Sequence, residues 1–218
     1  MKYMLILILS LSTLCGYAQT HKYSTFYEQR ASLFEELPIC TEDIVFIGNS
    51  ITNGGEWHEL FENRHVKNRG ISGDTSEGVY DRLDAVLKGQ PRKLFLLIGI
   101  NDIAKGLSVR TIATTIEKIV SKIQTQSSST SIYLQSVLPV NPDFGLFSGH
   151  MKPDMINELN VEIKHIAQKY NITYIDLHPT FLDQKSHKLD AAYTNDGLHL
   201  MGKGYILWRD SILSYVNH

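Results

Sequence analysis

Four uninterrupted apolar runs, DIVFIG (43–48), RKLFLLIGI (92–100), SIYLQSVLPV (131–140) and ITYIDL (172–177), alternate along the chain with segments of helical periodicity. No other feature restricts the fold as much. A strand with one wet face alternates apolar and polar residues, whereas a run apolar on both faces belongs to a strand covered on both sides, as in a parallel sheet. A shorter run, HVKNRG (65–70), offers a fifth strand. Between the runs, Ile112, Ile116, Ile119, Val120 and Ile123 recur at helical spacing, as do Ile156, Leu159, Ile163 and Ile166 after Pro153-Asp154. Val79, Leu83, Val86 and Leu87 give a third stripe, and GYILWRDSILSYV closes the chain with a fourth. The pattern predicts an α/β fold: a three-layer α/β/α domain around a five-stranded parallel sheet with right-handed crossovers.

The first residues, MKYMLILILSLSTLCGYAQT, precede that pattern and have a different character. One charge at Lys2, an apolar run from Leu5 to Leu14 and small residues at Gly16 and Ala18 follow the order of a secretory signal, cleaved near Ala18 or Gln19. Tyr3 to Ala18 is only 16 residues, short of the roughly 20 that a spanning helix needs. A lipid-modified Cys15 is the lesser alternative, because Leu14 before it is bulky for such a site. The expected organisation is therefore a signal at 1–18, a single domain at 19–218, a secreted or periplasmic location and no membrane span after cleavage. Loss of residues 1–18 removes Lys2 and no acid, leaving 20 basic residues against 23 acidic ones, a balance of −3 where the whole chain has −2. With Lys and Arg scattered, neither a nucleic-acid stripe nor a polybasic membrane patch is present. Cys40 then stands alone and cannot form an internal disulfide; with no histidine near it in sequence, it reads as a half-buried packing residue.

In an open parallel sheet, ligands bind outside the carboxyl ends of the strands, where the strand order reverses. With order 2-1-3-4-5, three segments converge there: FIGNSIT with Ser50, NRGISGDTS with Gly70 and Gly73, and GIND with Asn101. Acyl transfer needs a nucleophile, a base, and donors aimed at the developing oxyanion. Ser50 supplies a hydroxyl, while the Ser50 and Gly73 N–H groups and the Asn101 amide supply three donors. The base must come from elsewhere, and TNDGLHLMGKGY (194–205) offers Asp196 and His199, spaced so that a carboxylate in a tight turn reaches Nδ1 and aims Nε2 at the serine. Asp176 and His178 are a competing pair. Asp74 with Glu77 three residues on has the form of a capping box.

Together these segments resemble the SGNH or GDSL-like hydrolases, whose blocks are a serine near the amino terminus, a glycine, an asparagine in GxND, and DxxH near the carboxyl terminus. The resemblance runs from about residue 42 to 208 and departs in one place, Asn49 standing where the family has the aspartate of GDS. It implies a Ser50–His199–Asp196 triad, favours Gly73 over Gly70 as the block-two donor, and calls for no metal or cofactor. The short chain is most similar to small acetylhydrolases, including carbohydrate and sialate O-acetylesterase-like proteins and the catalytic subunit of platelet-activating-factor acetylhydrolase. The implied substrate is a small-molecule or glycan ester, and the resemblance allows a homodimer. A longer-acyl lysophospholipase or thioesterase, with Trp57, Phe144, Leu146, Phe147 and Met151 lining a channel, is the rival reading; a glycan-binding domain without chemistry is the second.

Overall fold

In the computed structural model, which describes residues 22–217, every residue of the strands beginning at Ile44 and Lys93 is buried, as two-sided apolar runs require. The elements run in chain order α1 (Thr25–Glu36), β1 (Ile44–Gly48), α2 (Ser50–Asn53), α3 (Trp57–Leu60), β2 (Val66–Gly70), α4 (Ser76–Asp81), α5 (Asp84–Leu87), β3 (Lys93–Leu97), α6 (Ile100–Ala104), α7 (Val109–Gln126), β4 (Ser131–Gln135), α8 (Pro153–Lys169), β5 (Thr173–Ile175) and α9 (Gly202–Asn217). The sheet is parallel throughout, in the order β2-β1-β3-β4-β5, with the helices around it. The reversal of order falls at β1, so Ser50 stands at the switch point.

Register aligns Phe46 with Phe95 and Phe95 with Tyr133 on adjacent strands. Their rings stack at 4.7 and 4.4 Å between centroids. On the same face Trp57 of α3 stacks on Phe46 at 4.2 Å and meets Trp208 of α9 edge-on at 4.8 Å. Each indole N–H has an acceptor, Thr52 O for Trp57 and Gln135 Oε1 for Trp208, so the aromatic core leaves no indole donor unpaired. Trp57 is thus a buried core residue rather than part of a channel. Elsewhere α4 packs on α7 and α7 on α8 through the predicted isoleucine stripes.

Three expectations change. The stripe at 79–87 is two short helices, and Arg82 between them turns inward, donating from Nε to Asp74 and from Nη2 to Gly48 O. The run 131–140 leaves the ladder after Gln135: Val137 pairs both backbone groups with the Asn160 amide, and the apolar residues beyond are buried without being strand. Cys40 is exposed, and hydrogen bonding to Glu42 raises its thiol above the ordinary value. The signal, its cleavage site and Cys15 lie outside the described residues. Among the described residues no helix is long and apolar enough to cross a membrane.

Candidate active site

β1 ends at Gly48, and the Asn49 side chain then accepts the Ile51 N–H at 3.0 Å. That cap starts α2 with Ser50 as its first residue, where helical N–H groups have no partner within the helix. Asparagine and aspartate both offer an oxygen for this bond, so the departure from GDS leaves the turn in place.

The DGLH segment forms a tight turn against the same end of the sheet. Gly197 adopts φ +82°, and a Cβ there would stand 2.1 Å from Asn141 O, so only glycine fits. Within the turn, Asp196 Oδ1 accepts the backbone N–H groups of Leu198 and His199, both at 2.8 Å. Its other oxygen accepts from His199 Nδ1 at 2.7 Å, and His199 Nε2 lies 3.0 Å from Ser50 Oγ. With Nδ1–H given to the carboxylate, Nε2 carries the lone pair and accepts the serine hydroxyl. Burial alone would raise the Asp196 carboxyl, but the His199 and Leu198 donors outweigh it and hold the group below its ordinary value. It remains ionised against the imidazole.

Gly70 and Gly73 separate by their surroundings. A Cβ on Gly70 would lie 2.3 Å from Asn53 N, so Gly70 is the close-packing glycine of β2 against α2. Gly73 has φ +79° and open space where a Cβ would be, which leaves its backbone exposed. Asn101, near the start of α6, donates one Nδ2 proton to Asp74 O at 2.8 Å and keeps the other. The GIND aspartate, Asp102, is fully buried and accepts both the N–H and the hydroxyl of Ser76. It ties the block-two loop to the block-three helix. Asp74 does not open a capping box: Thr75 is the N-cap of α4, accepting from Gly78 N, while Asp74 forms a buried ion pair with Arg82 at 2.8 Å.

Ser50, His199 and Asp196 are joined by direct hydrogen bonds, and Asn101 is bonded to Asp74, next to Gly73 in the block-two loop. The competing Asp176 and His178 instead line a separate surface groove with Asn157, Lys164 and Tyr174. Among the described residues one other cluster has metal-ligand chemistry: Cys40, Asp43 and His65, with ligand atoms within 4.8 Å of one another. It lies at the amino ends of β1 and β2, opposite Ser50; Asp43 already accepts from His65 Nδ1 at 3.1 Å, and Lys67 Nζ stands 3.7 Å from the same oxygen.

Residues 46–207 match the family model described as GDSL-like Lipase/Acylhydrolase. The chain belongs to this family. Its members are ester hydrolases. Among curated relatives, this GDSL-like hydrolase is 26% identical over 174 residues to the platelet-activating factor acetylhydrolase IB subunit alpha2 of Rattus norvegicus, covering 75% of this chain and 71% of the relative. A solved structure from Streptococcus pneumonia, provisionally described as a platelet activating factor, superposes with a TM-score of 0.82 at 30% identity, covering 88% of this chain and 92% of that one. A GDSL-like lipase from Bacteroides thetaiotaomicron gives a TM-score of 0.75 at 25% identity, with coverage of 87% and 96%.

Two residues at the site, Arg82 and His150, escape the sequence analysis, and a third, Phe147, enters it only as a lining of the rival acyl channel. At φ +53°, Phe147 presents its ring edge-on to His199 at 5.2 Å between centroids. Arg82 joins the Asp74 loop to the end of β1. His150 reaches Asn101. No local spacing signals the last two: Arg82 joins Asp74, eight residues before it, to Gly48, 34 before it, and the Asn101 partner of His150 lies 49 residues away.

Proposed function

We propose that this GDSL-like hydrolase is a serine esterase that removes short acyl groups, acetyl first among them, from hydroxylated alcohols such as sugars. One observation carries the reading: a single imidazole bridges Ser50 Oγ at 3.0 Å and the Asp196 carboxylate at 2.7 Å. In the first step His199 Nε2 takes the Ser50 proton as Oγ attacks the ester carbonyl. The oxyanion is received by the N–H groups of Ser50 and Gly73 and by the second Nδ2 proton of Asn101. Collapse expels the alcohol, which takes its proton from His199. Water then gives a proton to His199 as its oxygen attacks the acyl carbonyl, and collapse breaks the bond to Ser50 Oγ, which takes the proton back from His199 as the acid leaves.

Support for a short acyl group comes from what the candidate channel residues do instead. Trp57 is fully buried in the aromatic core, Met151 packs against the core, and Leu146 is exposed at 51%. Phe147 meets His199, and Phe144 packs against the Gly197 turn. Support for a sugar-like alcohol comes from a polar cavity of about 270 Å³ beside Gly73, lined by Tyr23, Ser24, Tyr27, Ser72 and Lys105 among others. The Ser24 hydroxyl and the Lys105 ammonium, next to the stacked rings of Tyr23 and Tyr27, suit a polyhydroxylated ring.

The test is hydrolysis of p-nitrophenyl acetate, butyrate and octanoate. The expected result is kcat/KM falling more than about tenfold from acetate to butyrate, because added methylenes have no apolar pocket to enter. A rate that rises toward octanoate would select the longer-acyl reading. Asn101→Ala should lower kcat by roughly 10²–10³ with little change in melting temperature, as removal of an oxyanion donor does. A loss confined to stability would make Asn101 structural.

A further inference from the structure

The Asn101 amide has a fixed orientation, and two bonds fix it. Nδ2 lies 2.8 Å from Asp74 O, and a backbone carbonyl can only accept, so the NH₂ end of the amide must face it. Oδ1 therefore points the other way, where His150 Nε2 stands at 2.9 Å. An amide oxygen can only accept, so the imidazole must donate, and His150 is the Nε2–H tautomer.

The rest of the loop holds that imidazole in place. His150 N donates to Phe147 O at 2.8 Å, closing a tight turn, and the Phe147 ring meets the imidazole edge-on. Lys152, two residues on, donates from Nζ to Ile103 O and ties the loop to α6, the helix that carries Asn101. Burial lowers the pKa of His150, the Phe147 carbonyl opposing it and the neighbouring His199 and Lys152 adding to it, so the ring is neutral at working pH and keeps one proton to give.

From this geometry we infer that His150 is a positioning residue for the oxyanion donor: its Nε2–H holds the Asn101 amide so that the second Nδ2 proton faces the reacting carbonyl oxygen. The inference rests on the esterase reading above. A bond into Oδ1 also polarises the amide and strengthens its remaining N–H as a donor. Without it, only the Asp74 contact restrains the side chain, and the amide can rotate about that one bond. Donor misplacement on the ångström scale costs up to about 10²-fold in rate.

His150→Leu should lower kcat on p-nitrophenyl acetate about 10-fold to 10²-fold with KM unchanged, because the ground-state ester does not need the oxyanion donor. His150→Gln, which can again present an N–H to Oδ1, should restore most of the rate. In an Asn101→Ala background, His150→Leu should cost nothing further, because the residue acts through the amide that is already gone. An unchanged kcat in His150→Leu, or the same loss with and without Asn101, would overturn the assignment. A readout without turnover separates this from failure of the esterase reading: imidazole ¹⁵N shifts of the wild-type protein should report the Nε2–H tautomer at His150. The Asn101 side-chain NH₂ resonances should move in His150→Leu. An Nδ1–H tautomer, or unmoved amide resonances, would overturn the positioning role whether or not the protein hydrolyses any ester.

Discussion

Ser50→Ala should abolish ester hydrolysis to within the rate that binding and the oxyanion donors sustain by themselves, a fall on the order of 10⁶ in kcat that leaves roughly 10³–10⁴ over water. The size follows from what the hydroxyl does. Ser50 Oγ has His199 as its side-chain partner, and the substitution removes one oxygen from a partly exposed position, so no buried group loses its only bond. Stability should stay within about 0.5 kcal/mol of the parent, as for other surface changes. Turnover and a thermal melt on the same preparation separate chemistry from folding. A variant that keeps more than a hundredth of the activity at unchanged melting temperature would remove Ser50 from the nucleophile's role. A reactive phosphonate offers a second measurement, since it should add to Ser50 in the parent and leave the variant unmodified.

What could be read in the sequence follows from how locally each feature is specified. Five strands and the long helices α7, α8 and α9 announce themselves through periodicity, and the sheet order puts the ends of β1, β2 and β3 side by side. α1 gives no such signal, because it buries only Tyr27 and Phe34. It docks through the Phe34 ring, 4.8 and 5.9 Å from the guanidinium groups of Arg69 and Arg82, and through Tyr27, which packs beside Ile71 and donates its hydroxyl to Gly78 O. Two buried aromatics in twelve residues are too few to make a stripe. The same limit applies at the site. Ser50, Asn101 and His199 stand out because short motifs at strand ends and in a tight turn name them. His150 and Arg82 act across the fold on residues that only the tertiary structure brings near. Residues 136–140 mislead for a third reason: they are apolar because they are buried, and burial alone does not distinguish a strand from a covered loop.

Arg82→Leu should be the most destabilising single change near the site, costing about 3–5 kcal/mol at pH 8, or roughly 6–20 °C in melting temperature for a chain of this size. The Asp74 and Arg82 side chains are at most 5% exposed, and the guanidinium also donates to Gly48 O at 3.1 Å, just before the Asn49–Ser50 turn. Removal of the arginine leaves a buried carboxylate facing an apolar side chain. Burial already pushes Asp74 up to about 6 from its ordinary 3.8, with Arg82 and the Thr75 N–H holding it from going higher. For an acid whose folded pKa is raised, the protonated form is the one that folding favours. Stability therefore falls as pH climbs from the unfolded pKa to the folded one, by about 1.4 kcal/mol per unit, and levels off above. In the parent that decline ends near pH 6; without Arg82 the folded pKa rises further and the decline continues past it. The difference in melting temperature between parent and variant should therefore be larger at pH 8 than at pH 5. An equal loss at both values would place the damage in the Gly48 contact or in packing rather than in the stranded charge. Adding Asp74→Asn to Arg82→Leu separates these contributions, because the asparagine removes the charge and leaves Gly48 O without its donor. Partial recovery at pH 8, with little change at pH 5, would assign the recovered part to Asp74 and the remainder to the bond at the end of β1, two residues before Ser50.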